Sequence, residues 1–135
     1  APVGSIVSGT KEFITRVHRY RKMLGGGMRQ AGILAGACLY ALDHHVARLA
    51  DDHDNARALA QALSVVDGLR CEPTLVETNI VVFEVTTHSA ADFVGLAAKR
   101  GVKLAALDQT RVRAVTHLDV SAADVGEAAQ RLSEI

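Results

Sequence analysis

The sequence predicts a mixed α/β chain: long helices first, then a small α+β sandwich in the order strand, helix, strand, strand, helix. Three observations lead there. Alanine fills 22 of the 135 positions while aromatic residues make up 4% and tryptophan is absent, which favours close helix packing over an aromatic-rich β core. The first half repeats its apolar residues at helical spacing. Beyond Asn79 the pattern changes to short β-branched runs separated by turn residues.

In chain order, residues 3–7 are small or β-branched and are closed by Ser8 and Gly9, the pattern of a short strand ending in a turn. Thr10 is placed to cap a helix carrying Phe13, Ile14, Val17, Tyr20 and Leu24, which Gly25, Gly26 and Gly27 end. A second helical pattern starts at Met28 and carries Ile33, Leu34, Ala37, Cys38, Ala41 and Leu42. Asp43 and His44 interrupt it before Val46, Leu49, Ala56, Leu59, Ala60 and Leu63 resume the period up to Asp67 and Gly68. A strand follows at residues 80–85. Ser89 with Asp92 is a helix-capping pair, Phe93, Leu96 and Ala97 form the apolar stripe, and Gly101 is the stop. Residues 102–107 and 111–116 read as two strands joined by the turn Asp108, Gln109, Thr110. Ser121 and Asp124 repeat the capping pair ahead of a last helix faced by Val125, Ala128, Ala129 and Leu132.

With 49% hydrophobic and 22% charged residues the chain has the composition of a folded domain. Fifteen basic residues balance fifteen acidic ones, so bulk charge predicts neither a nucleic-acid partner nor an anionic membrane. Cys38 and Cys71 lack C-x-x-C spacing, no apolar run approaches the ~20 residues of a membrane span, and the first residues do not resemble a signal peptide. A soluble, cytoplasmic protein is expected.

Local charge is less even. Residues 11–29 hold Lys11, Arg16, Arg19, Arg21, Lys22 and Arg29 against the single acid Glu12. A solvated face accounts for such a run. The competing reading is an anion site, with Lys22 and Arg29 flanking glycines that allow close backbone approach to a phosphate. Neither G-x-x-x-x-G-K-[ST] nor G-x-G-x-x-G is present, which argues against an ordinary nucleotide loop. Arg111 and Arg113 alternate onto one face of a strand. They mark either a wet edge or a guanidinium aimed at a ligand carboxylate. His44, His45 and His53 with Asp51, Asp52 and Asp54 lack metal-ligand spacing and read as a solvated acidic helix face; no metal site is expected. No nucleophile context for a hydrolase is present.

Several stretches together resemble one family. APVGS at the start, RYRKMLGGGMRQAGILAGACLYAL (19–42), HVARLADDHDNARALA (45–60), ETNIVVF (77–83) and RVRAVTHLDVS (111–121) are similar to the C-terminal part of the low-specificity threonine aldolases. These are pyridoxal-phosphate enzymes of the aspartate-aminotransferase-like fold. The resemblance implies that residues 1–43 end the large cofactor domain and that residues 44–135 form a connecting helix and the small C-terminal domain. It implies that Arg113 binds the substrate α-carboxylate. Lys22 and Arg29 would lie near the cofactor phosphate of a neighbouring subunit, in a homo-oligomer with shared active sites.

His117 and Thr116 belong to the same motif and are expected to pack and hydrogen-bond around Arg113. The family's cofactor-binding lysine sits in a Ser-Lys-Gly-Leu segment just before the residues matched by Ala1, and Lys11, Lys22, Lys99 and Lys103 lack that context. This chain by itself is therefore expected to be inactive and to hold no catalytic residue. The implied reaction is retro-aldol cleavage of a β-hydroxy-α-amino acid to glycine and an aldehyde. The alternatives are a stand-alone regulatory or dimerisation module that binds an amino acid through Arg113, and another lyase of the same fold.

Overall fold

Thr10 opens the first helix of the computed structural model, which describes residues 3 and 5–135. Its backbone is extended and its hydroxyl accepts the Phe13 N–H at 3.3 Å, so α1 (Lys11–Met23) begins where the sequence predicts. At the other end the Gly25 N–H donates to the Lys22 carbonyl and the Gly26 N–H to the Arg21 carbonyl, at 3.3 and 2.8 Å. This paired closure needs a left-handed residue, which Gly25 supplies at φ +82°. The next helix, α2 (Gly32–His44), starts four residues later than the pattern from Met28 predicts. Gln30 adopts φ 54°, outside the helical region, and residues 29–31 form a turn.

The strand expected at residues 3–7 is not formed by its described members, Val3 and residues 5–7. A strand needs a neighbour for its backbone groups, and the four strands of the described chain pair only among themselves. Gly4, with Ala1 and Pro2 of the APVGS match, lies outside the described residues.

The chain divides into two compact units, Ala1–Ala47 and Arg48–Ile135. No described residue of the first is buried, and α1 and α2 carry their apolar side chains in the open, Ile33 at 79% exposure. The second unit holds the core. It comprises α3 (Leu49–Leu63), β1 (Leu69–Arg70), a 3-10 turn at Pro73–Leu75, β2 (Ile80–Val85), α4 (Ala90–Lys99), β3 (Ala105–Ala106), β4 (Arg111–Val115) and α5 (Ala122–Ser133). The sheet order is β1-β2-β4-β3 and every pair is antiparallel.

Alternation along β2 and β4 turns Val81, Phe83, Val85, Val112 and Ala114 inward. They meet Leu59 and Leu63 of α3, Phe93 of α4, and Val125 and Leu132 of α5 in one cluster. The Phe83 and Phe93 rings cross edge-on with centroids 5.8 Å apart. Burying each such side chain contributes about 1.5–3 kcal/mol.

Both expected capping pairs are present. Ser89 accepts the Asp92 N–H, and Ser121 with Asp124 forms a reciprocal box. Gly101, at φ +80°, ends α4. The strand expected at residues 102–107 shortens to two residues because the Val102 N–H is already bonded to the Ala97 carbonyl at the helix end.

The turn before β4 is held by one carboxylate. Asp108 accepts the backbone N–H of Arg111 at 2.7 Å and of Thr110 at 3.0 Å, and the Arg111 Nε at 2.6 Å. The Arg111 backbone and guanidinium, then Thr110, hold its carboxyl below the usual 3.8, at about 2. A depressed carboxyl stabilises the fold fully above its unfolded value and loses that contribution as pH falls through its folded one. The urea midpoint of this chain is therefore expected to drop between pH 3.8 and about 2. Asp108→Asn should lower the midpoint at neutral pH and flatten that drop.

Candidate functional site

β4 is the central carrier of charge on the open face of the sheet. Its register with β2 sets Arg111 opposite Glu84, Arg113 opposite Val82 and Val115 opposite Ile80, while β3 sets Ala105 beside Arg113. The two arginines share a face, as alternation predicts, but their surroundings differ. Arg111 is tied to Asp108, and Glu84 lies between Arg111 and Arg70, whose guanidinium approaches it at 4.0 Å. Arg113 has apolar cross-strand neighbours on both sides and, among the described residues, no ion pair or side-chain hydrogen bond. Ile80, Val82 and Val115 are about two-fifths exposed around it. A guanidinium flanked by apolar surface attracts an anion more strongly than one in bulk water. Its planar donors match the two oxygens of a carboxylate.

Thr116 and His117 do not surround Arg113 in the expected way. The Thr116 hydroxyl donates to the Asp52 and Asn79 carbonyls, and His117 Nδ1 accepts the Asp119 N–H at 3.3 Å. Asp52 also departs from the solvated acidic face assigned to its helix. It is buried, and both its oxygens accept from the Arg48 guanidinium, at 2.7 and 3.1 Å. The signal for this pair is the i, i+4 spacing of Arg48 and Asp52; its burial depends on contacts distant in sequence. No group of three or more His, Cys, Asp or Glu residues suited to a metal occurs among the described residues. Cys38 and Cys71 are free. No helix is long and apolar enough to cross a membrane.

In the first unit, the end of α1 and the residues after it form a groove of about 600 Å³. His18, Arg19, Arg21, Lys22 and Arg29 line it with Gly27, and no acid does. Lys22 and Arg29, seven residues apart in sequence, are thus on the same concavity. Gly27 leaves room there for Lys22: a Cβ at that position would come within 2.7 Å of Lys22 Cδ and 3.1 Å of its Nζ, and the flexible lysine would have to shift. The lysine folds over a cradle that a side chain would fill. Flexible cationic donors around a floor of bare backbone suit a phosphate group.

Residues 1–87 match the family described as Beta-eliminating lyase. The chain is 44% identical over 130 residues to the low specificity L-threonine aldolase of Escherichia coli strain K12, covering 95% of this chain and 37% of that protein. It is 41% identical over 128 residues to the probable low-specificity L-threonine aldolase 2 of Arabidopsis thaliana, covering 93% of this chain and 36% of that one. It therefore spans little more than a third of the length of these relatives, in their C-terminal portion.

The cysteine desulfurase CsdA of Escherichia coli has the same fold over 80% of this chain and 31% of its own, with a TM-score of 0.64 at 19% identity. The four-stranded antiparallel sheet and its helices match the C-terminal regions of fold-type I pyridoxal-phosphate enzymes, the fold class expected from the sequence. Since the family match takes in well over half of the residues, the chain belongs to the beta-eliminating lyase family.

Proposed function

We propose that this chain is part of a pyridoxal-phosphate enzyme that cleaves β-hydroxy-α-amino acids such as threonine to glycine and an aldehyde. The observation that carries the reading is Arg113, the one arginine of the open sheet face left without an acid among the described residues. The identity to threonine aldolases supports the same substrate class. In this reading Arg113 grips the substrate carboxylate with two parallel hydrogen bonds and sets the rotation of the substrate about Cα. Which Cα bond is aligned for cleavage follows from that rotation, so the arginine acts on both binding and turnover.

Lys22 and Arg29 hold the cofactor phosphate and offset its charge, acting on the active site of a neighbouring subunit in a homo-oligomer. When bound, pyridoxal phosphate supplies the electron sink for the pair released as Cα–Cβ breaks. The β-hydroxyl proton goes to a base outside this chain. The domain assignment belongs to the same proposal: residues 1–43 as the end of the cofactor domain, residues 44–135 as connecting helix and small domain.

The test uses the complete enzyme that carries this chain, supplied with pyridoxal phosphate. Glycine and acetaldehyde released from threonine, with no 2-keto acid formed from serine or cysteine, is the expected result. Keto-acid release without glycine would instead make the enzyme a β-eliminating catalyst. Residues 1–135 alone, mixed with pyridoxal phosphate and treated with borohydride, are expected to acquire no stoichiometric label on Lys11, Lys22, Lys99 or Lys103. One lysine labelled at full occupancy, located by peptide mapping, would overturn that expectation.

A further inference from the structure

Thr116 and Asp52 are the buried polar side chains of the described chain, and they are joined. The Thr116 hydroxyl donates to the Asp52 carbonyl at 2.6 Å and lies 3.3 Å from that of Asn79. The Thr116 N–H also donates to the Asn79 carbonyl at 3.0 Å, and Asn79 Nδ2 returns a bond to the Thr116 carbonyl at 2.7 Å. The helical turn that presents the Asp52 carbonyl is itself fixed, because Arg48 holds the Asp52 carboxylate with both terminal nitrogens. One turn on, Asn55 Nδ2 donates to the Val120 carbonyl at 3.1 Å. The start of α3 thus fastens the chain on both sides of His117.

A buried hydroxyl is costly unless bonded, and valine would fill the same volume in a strand without that cost. The hydroxyl specifies one placement of the strand end against the helix. Arg113 lies three residues earlier, about 10 Å along the strand, so any effect of Thr116 on it passes through β4. The other end of β4 is fastened by Asp108. The arginine therefore stands midway along a strand held at both ends.

We infer that Thr116 is a positioning residue for Arg113: its hydroxyl locks the end of β4 to α3 and so fixes where the guanidinium meets a substrate carboxylate. This rests on the substrate reading of Arg113 given above. In the complete enzyme, Thr116→Val is expected to lower kcat/KM for threonine about threefold to tenfold, with KM raised and kcat reduced together as for Arg113 itself. Thr116→Ser, which keeps the hydroxyl, should restore it to within about twofold. Added to Arg113→Lys, Thr116→Val should cost less than it does alone, since both act on one contact.

A Thr116→Val enzyme with a lowered melting temperature but unchanged kcat and KM per folded site overturns the inference. So do independent, multiplying effects of the two substitutions. If Thr116→Val does not fold, Asn79→Ala removes the bond to the Thr116 carbonyl and should raise KM; an unchanged KM there overturns the inference equally. Unaltered kinetics in Arg113→Lys alone would overturn the substrate reading itself. An impaired Arg113→Lys beside an unaffected Thr116→Val would overturn only the role of Thr116.

Discussion

Replacing Arg113 with lysine in the complete enzyme is expected to lower kcat/KM for threonine about ten- to a hundredfold, with KM raised and kcat reduced together. Lysine preserves the charge but loses the planar pair of donors, so the carboxylate is held at one point and the substrate can turn about it. Loss of a charge-assisted hydrogen bond is worth about 1.5–3 kcal/mol, which sets the size of the effect. The neighbouring Arg111 is the internal control, because Asp108 already occupies its guanidinium. Arg111→Lys keeps the backbone bonds that fasten the turn to Asp108 and should leave the kinetics nearly unchanged. Steady-state measurement of both variants decides the matter, and equal effects from the two would take Arg113 out of the site.

The second large effect is expected from Arg29→Glu, which should weaken pyridoxal-phosphate binding at least tenfold, a change of about 1.4 kcal/mol or more. The groove it shares with Lys22 holds no acid to begin with. Reversal sets a like charge against the phosphate, whereas Lys22→Ala merely removes one of several cations and should cost about threefold to tenfold. Mixing separates action within a subunit from action across a boundary. Arg29→Glu subunits combined with subunits lacking the cofactor-binding lysine should regain activity if the residues act in trans. Mixed oligomers that form and stay inactive would return Lys22 and Arg29 to the solvated face that their charge run also allows.

What the sequence made legible was local. The Ser89 and Ser121 caps, the Gly25 and Gly101 stops and the Asp108 turn depend on residues within five positions of one another, and all are present. Alternation along residues 111–115 placed Arg111 and Arg113 on one face. It could not distinguish them, because the distinction lies in partners: Asp108 for one, the apolar Val82 and Ala105 for the other. The two-residue strands β1 and β3 are too short to show a period. Gln30 has a left-handed backbone that its side chain does not announce, so the start of α2 was read early. The burial of Asp52 has no local signal in its acidic run, and the segment to which its backbone carbonyl is bonded, at Thr116, lies 64 residues away.

The brevity of those strands bears on how the protein can associate. β1 and β3 are the outer strands of the sheet, two residues each, with Arg70 on one and Lys103 just before the other. Outer strands this short and flanked by charge offer too few free backbone groups in line to template a further strand, a common defence against edge-to-edge aggregation. The sheet is thus closed to growth in its own plane. Any surface added to it, from the rest of the protein or from another copy, must lie across its open face by side-chain packing, where Arg113 stands.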